Sequence, residues 1–313
     1  MSLVSRIKKA GDVSITKTGD KDLFFGMPGV GKSTLASQAD SPLFVDFDRG
    51  IKQLRVDRVD PAPKTWLDAL ATFREVAAEK HAYKTLVIDT IDPLEDLAIQ
   101  HVCKIGRKES LGDFDYGDGY AALKNEWRNM LSILDSVADK GMVVCLLAHS
   151  MVRQTSDPQL GPYEVYTTGL QKGTWAVTAR WCDMIGFCAF QNARIKDEKR
   201  SVYTGQRELL TTAGSGYVAK NRWGLPRTLP MDWKQLDAAI KRFYDTARPE
   251  EVVARIQALT KDNADFQKKA EFYIADAKGD VRRLLQVEDA IKEKIAEMAR
   301  EAAEAAKEGT ATA

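Results

Sequence analysis

Two kinds of apolar pattern alternate along the first 245 or so positions. Leu23-Phe24-Phe25, Leu43-Phe44-Val45, Leu86-Val87-Ile88 and Met142–Ala148 are uninterrupted apolar runs, without the polar alternation of a half-solvated strand. They read as strands buried on both faces. Between them, apolar residues recur every three or four positions. Trp66, Leu70, Phe73, Val76 and Ala77 predict a helix ending near His81, and Tyr120, Leu123, Trp127, Met130, Leu131, Leu134 and Val137 predict a longer one that Gly141 stops. Asp92-Pro93 is a cap-and-first-turn pair for a helix running to about Gly106. Buried strands alternating with amphipathic helices predict an α/β fold, a mainly parallel sheet flanked by helices.

The second half is patterned differently. Residues 107–119 and 151–174 lack periodicity and read as long loops, which in a compact domain tend to be functional. Met184–Phe190, Ser201–Thr204, Arg207–Thr211 and Tyr217–Ala219 read as strands, with Gly205-Gln206 as a hairpin turn, and Asp232–Phe243 as a helix. After Thr246–Pro249 glycines and strand signals nearly vanish, and helices are expected over 250–260, 263–277 and 280–307. The expected division is a core of residues 1–248, beginning with a polar arm over 1–20, and a C-terminal helical appendage over 249–313.

The composition narrows the chemistry. The four cysteines, Cys103, Cys145, Cys182 and Cys188, show no metal-ligand spacing, and there are only three histidines, which argues against zinc. No run is long enough to span a membrane and the first residues lack a signal-peptide core, so a cytoplasmic protein without a membrane partner is expected. The net charge of +1 demands no particular partner, but residues 151–230 carry eleven Lys and Arg against six Asp and Glu.

The strongest chemical signal is Gly26-Met27-Pro28-Gly29-Val30-Gly31-Lys32-Ser33, set between an apolar run and a helix-forming segment that opens with Thr34. This is a G-x-x-x-x-G-K-S loop in its required strand, loop and helix context. Its backbone N–H groups suit the phosphates of ATP, Lys32 the β- and γ-phosphates, and the Ser33 hydroxyl Mg2+. The run Thr85–Ile88 ends in Asp89, the carboxylate placed to hold Mg2+ together with Ser33. Thr90 follows it, so a group that orients the attacking water must come from another strand, and Asp48, after Leu43–Phe47, is the candidate. His149, at the end of the Met142–Ala148 strand, is placed to sense the γ-phosphate.

This order of signals, over about residues 15–245, resembles the RecA-like ATPases, and within them the phage single-strand-annealing recombinases with a minimal RecA core. Lys220-Asn221-Arg222-Trp223-Gly224 is similar to the KNRFG motif of bacterial RadA recombinases. The resemblance implies a RecA-like P-loop core, ATP and Mg2+ as cofactors, and Asp48 standing where the family has a catalytic glutamate. It implies that Lys220 and Arg222 act on the nucleotide of a neighbouring subunit in a ring or filament. It places the two loops at the family's DNA-binding positions, with Phe114, Tyr116, Tyr163 and Tyr166 to stack bases and Arg153 and Lys172 to meet phosphates. The expected function is an ATPase that assembles on single-stranded DNA and promotes recombination or annealing, with a single-strand DNA-binding protein as a further partner. The alternatives are a helicase or helicase loader on the same core, or an ATP-gated DNA-binding assembly protein that hydrolyses little.

Overall fold

The computed structural model describes residues 19–157, 161–194, 201–245 and 249–310, which fall into two compact units. One extends to Arg222 and includes Arg227–Asp237; the other holds Trp223–Pro226 and the chain from Ala238 onward.

In the first unit the apolar runs become strands β1 (Lys21–Gly26), β2 (Pro42–Asp46), β4 (Thr85–Asp89) and the inner half of β5 (Val143–Asp157), with β3 the pair Asp57–Arg58. Helices α1 (Lys32–Ala36), α2 (Trp66–Ala78), α3 (Ile91–Gly106) and α4 (Asp118–Ala138) connect them. Then follow β6 (Gly161–Thr168), α5 (Lys172–Trp181), β7 (Met184–Arg194), β8 (Ser201–Leu210), β9 (Thr228–Pro230) and the start of α6 (Trp233–Asp245), which from Ala238 belongs to the second unit. The strand order is β3-β2-β4-β5-β1-β7-β8-β9, with β6 paired to β5. From β3 to β7 all pairings are parallel, and β8 and β9 join antiparallel. This is an α/β, RecA-like P-loop NTPase sheet, with a helical C-terminal region in the second unit.

The unbroken runs are apolar because both sheet faces are covered: Leu23, Phe24, Phe25, Leu86, Val87 and Ile88 are fully buried, each contributing roughly 1.5–3 kcal/mol. On one face Trp66 of α2 stacks on Trp127 of α4, and the Trp127 indole N–H donates to Thr178 Oγ1 at 2.8 Å, tying α4 to α5.

Several expectations change. The described part of 151–174 is mostly strand and helix, where a loop was expected. Met151–Asp157 continues β5 and pairs antiparallel with β6, from Ser150 opposite Thr168 to Asp157 opposite Gly161, and α5 begins at Lys172. A hairpin solvated on both faces carries no apolar run to betray it. The loop over 107–119 is partly wound into 3-10 turns at Leu111–Asp113 and Asp115–Gly117. Gly205-Gln206 is not a turn but lies inside the continuous strand β8, where the register with β7 shifts between Phe190 and Asn192. Where Tyr217–Ala219 was expected as a strand there are only isolated bridges, Tyr166 to Tyr217 and, at the following residue, Ile185 to Lys220. Most of the arm expected over 1–20 likewise lies outside the described residues.

The second unit packs α7 (Pro249–Thr260), α8 (Ala264–Ala277) and α9 (Val281–Thr310) around Val252, Ile256, Ala270, Ala277, Leu284 and Leu285. Buried among them, Glu288 receives Arg242, Arg255 and Lys292, at 2.7, 3.1 and 2.7 Å.

Candidate functional site

In an open parallel sheet ligands bind beyond the carboxyl ends of the strands, and the candidate residues collect there. Gly26 ends β1, Asp46 ends β2, Asp89 ends β4, and His149 lies on β5 in register with Gly26. The chain leaves β1 through exposed Met27, Pro28 and Gly29 and buried Val30, and reaches Gly31 at φ +103, a left-handed conformation natural to glycine. That bend turns the loop into α1, whose first turn carries no acid to compete for its N–H groups. Thr34 is exposed and Ser33 half-buried.

Lys32 is buried, and its ammonium donates to the carbonyls of Gly26 at 3.0 Å and Met27 at 3.2 Å. Burial lowers its pKa against the opposing pull of nearby groups, Asp89, Asp92 and Asp48 among them. Asp89 is buried too, and its pKa is pushed up to about 6, chiefly by burial. Ser33 hydrogen-bonds this carboxylate, whose Oδ2 is buried with no partner. An orphaned carboxylate oxygen beside a hydroxyl is an all-oxygen donor set, which fits Mg2+. Mg2+ takes one or two protein ligands and completes its shell with phosphate and water.

Asp48 lies in the turn beyond β2. Its Oδ2 accepts from Thr90 Oγ1 at 3.1 Å and from His149 Nε2 at 3.0 Å. A carboxylate only accepts, so this bond puts a proton on Nε2, while Nδ1 is buried without a partner. The His149 backbone N–H in turn donates to Asp92 at 2.9 Å. Asp92 is therefore not the cap of α3, a position that Thr90 holds; it sits in the first turn and fixes the end of the β5 core segment. Asp46 is occupied locally, accepting from Gly50 and Ile51 N–H at 3.3 and 3.4 Å. The apparently redundant carboxylates of Asp46-Phe47-Asp48 thus have distinct roles: one holds the turn and the other meets Thr90 and His149.

The residues expected to touch DNA do not form one surface. Phe114 is half-buried over Gly106 and Gly119, whose added Cβ atoms would fall 2.3 and 2.7 Å from its ring, so it fills a gap in the core and is withdrawn from stacking. Tyr116 is fully exposed. Tyr163 and Tyr166 are an odd and an even position of β6 and so face opposite sides of the hairpin. Tyr166 stacks on Phe187 at 5.3 Å, and Phe187 in turn lies 5.0 Å from Phe25, next to Gly26. Arg153 donates to the carbonyls of Gly169 and Leu170, clasping the hairpin to the segment before α5. Lys172 is exposed on the first turn of α5.

That helix is held at both ends. Buried Glu95, whose pKa is raised by burial, accepts from Gln171 N–H and Thr174 Oγ1 at the amino end. At the carboxyl end the Lys220 ammonium donates to the carbonyls of Ala179, Arg180 and Cys182 at 2.9, 3.3 and 2.6 Å. Both charges match the helix dipole. Arg222 pairs with Asp183 at 3.0 Å and remains about half exposed, and Asn221 donates to the Thr211 carbonyl. Within one chain Lys220 and Arg222 thus sit beyond α5. Thr90, Asp92 and Glu95 escaped the motif reading because ordinary capping chemistry predicts the same residue types near a helix start.

A family model described as an AAA domain, AAA_24, matches residues 19–223. The SPbeta prophage-derived uncharacterized protein YorG of Bacillus subtilis (strain 168) is 21% identical over 255 residues, covering 80% of this chain and 68% of that protein. Among solved structures, the flagellar accessory protein FlaH from Methanocaldococcus jannaschii aligns with a TM-score of 0.32 and 11% identity, over 62% of this chain and 77% of that one. No described helix is long and apolar enough to cross a membrane.

Proposed function

The chain belongs to this AAA_24 family of AAA domains, and from that premise we propose that it is a Mg2+-dependent, RecA-like ATPase that assembles on single-stranded DNA and promotes recombination or strand annealing. In this reading Lys32 meets the β- and γ-phosphates, Ser33 and Asp89 hold Mg2+, Asp48 orients water, and His149 responds to the γ-phosphate. The observation that carries it is the continuity of β5. His149 stands beside Gly26, and the next residue, Ser150, begins the pairing with β6, so one strand leads from the nucleotide corner into the exposed hairpin. A shift of His149 on loss of the γ-phosphate has a direct route to that hairpin. The prophage origin of YorG agrees with a phage setting.

In an assembly, Arg222 is the better placed of the two cations to serve a neighbour. It leaves only an exposed ion pair with Asp183, whereas Lys220 would abandon three carbonyls of its own helix. The test is turnover with and without single-stranded DNA, beside DNA affinity measured with ATP and with ADP over a range of salt. Turnover that rises on DNA, and affinity that depends on nucleotide and weakens with salt, support the proposal. No binding to single strands at low salt would refute the DNA assignment and leave the P-loop chemistry standing.

One observation favours a second reading, an ATP-gated DNA-binding assembly protein that hydrolyses little. Asp48 is shorter than the glutamate of the resembled family, and one of its oxygens already serves both Thr90 and His149. DNA binding that switches with nucleotide while turnover stays at background on DNA would select it.

A further inference from the structure

Asp48, Asp89 and His149 all lie on the β2, β4 and β5 side of β1. Across β1 stands a side chain of the opposite sign. Arg207 of β8 faces Phe190 of β7, and β7 runs beside β1 with Cys188 in register with Gly26. Phe190 is two residues further on, so Arg207 lies about 7 Å past the point where β1 becomes the loop. There its guanidinium overhangs Gly31. A Cβ built on Gly31 would lie 2.7 Å from Arg207 Nη1 and 3.5 Å from Cζ. The guanidinium also sits over the Phe190 ring, 5.9 Å from its centroid, in a cation–π contact.

Lys32 is engaged on loop carbonyls, and Lys220 and Arg222 lie toward the other end of β7, on the α5 carbonyls and on Asp183. Among the described residues no carboxylate pairs with Arg207. An arginine resting over a ring and against a phosphate-binding loop, with no carboxylate of the described residues paired to it, is placed for an anion. We propose that Arg207 is a phosphate-binding residue acting within its own chain, on the α- and β-phosphates of a nucleotide seated on Gly26–Ser33. The inference rests on the nucleotide reading given above. The choice of phosphates follows from position: the loop's N–H groups cradle the α/β portion, and Arg207 lies across β1 from the carboxylates and His149 assigned to the metal and γ-phosphate end. A planar guanidinium can meet two phosphate oxygens at once, which an ammonium cannot.

The experiment is fluorescent ADP and ATP binding, with Mg2+, to the wild-type protein, Arg207→Gln, Arg207→Lys and Lys32→Ala. Arg207 is exposed, so unchanged thermal unfolding of the nucleotide-free variants is expected and serves as the folding control. Arg207→Gln should weaken ADP and ATP alike, by about tenfold or more, and flatten the salt dependence. Arg207→Lys should recover part of the loss. Binding by Arg207→Gln within twofold of wild type, tighter binding, or a loss confined to ATP would overturn the inference while leaving the nucleotide site intact. Failure of the wild-type protein itself to bind either nucleotide would overturn the nucleotide reading, and the inference with it.

Discussion

Replacing Asp89 with Asn should make the protein more stable at neutral pH in the absence of metal and nucleotide, while weakening its hold on both. Asp89 is 4% exposed, and one of its carboxylate oxygens is buried with nothing to bond. Burial raises its pKa from 3.8 to about 6; a Ser33 hydrogen bond opposes the shift, Asp46 and Asp48 add to it, and Lys32 opposes it again. A shift of about two units, at about 1.36 kcal/mol each, is a cost of roughly 3 kcal/mol for holding the ionised form in the folded chain. The sign follows from proton counting. Between about pH 4 and 6 the folded protein keeps a proton that the unfolded chain has lost, so wild-type stability falls as pH rises through that window and stays lower above it. Asparagine does not titrate, so the advantage of Asp89→Asn should open across the window and level off above pH 6 at about 1–3 kcal/mol, part of the gain being lost to the buried amide. Urea unfolding from pH 4 to 8 in chelator measures this. Repeating it with Mg2+ and ADP should reverse the order, because only the wild-type carboxylate is then neutralised by the cation. A variant less stable than wild type at pH 8 without metal, or a difference independent of pH, would refute the reasoning.

Lys32→Ala should abolish productive nucleotide binding with the fold intact, checked by titration calorimetry against an unfolding profile. Asp48→Asn should leave nucleotide affinity nearly unchanged and lower turnover by about a hundredfold or more, read as kcat against Kd. Lys220→Met should cost roughly 1–3 kcal/mol of stability by uncapping α5; if Lys220 serves only its own helix, turnover per folded molecule will not change. In Glu288, burial would raise the pKa, but hydrogen bonds from Arg255, Lys292 and Arg242 outweigh it and hold the carboxyl down at about 2. Its contribution, about 1–3 kcal/mol once solvent screening at the partly exposed cations is allowed for, is therefore present above pH 4.5 and lost as pH falls toward 2, and Glu288→Gln should remove that acid limb from the unfolding curve.

The parts of this molecule legible in advance are those where one residue type admits one use. Leu86-Val87-Ile88-Asp89 can only be a strand buried on both faces with an acid at its open end, and Gly31-Lys32-Ser33 after Phe25 can only be a loop built for an anion. Legibility fails where two local chemistries call for the same residue. Asp92 before Pro93 satisfies a cap rule, yet its carboxylate serves the His149 backbone from across the sheet. Phe114 in a glycine-rich segment satisfies a stacking rule, yet it packs against two glycines of its own unit. In the β5–β6 hairpin Met151–Ser156 is almost entirely exposed and β6 alternates between half-buried and exposed positions only as far as Tyr166, so no hydrophobic face marks it and its register rests on strand pairing.

Lys220 and Arg222 show how far a motif and its employment can separate. Two cations one residue apart on extended backbone suit a phosphate, and that chemistry made them candidates for a neighbour's nucleotide. The last carbonyls of a helix are also a cluster of partial negative charge, and α5 ends within reach of Lys220, while Glu95 holds the opposite end. Arg207, which no motif marks, faces the loop that the motif residues were expected to serve from outside. In a sheet of this kind the cation that matters is selected by which strand lies next to β1, a property of topology, and β8 comes within reach because β7 pairs with β1 on one side and with β8 on the other.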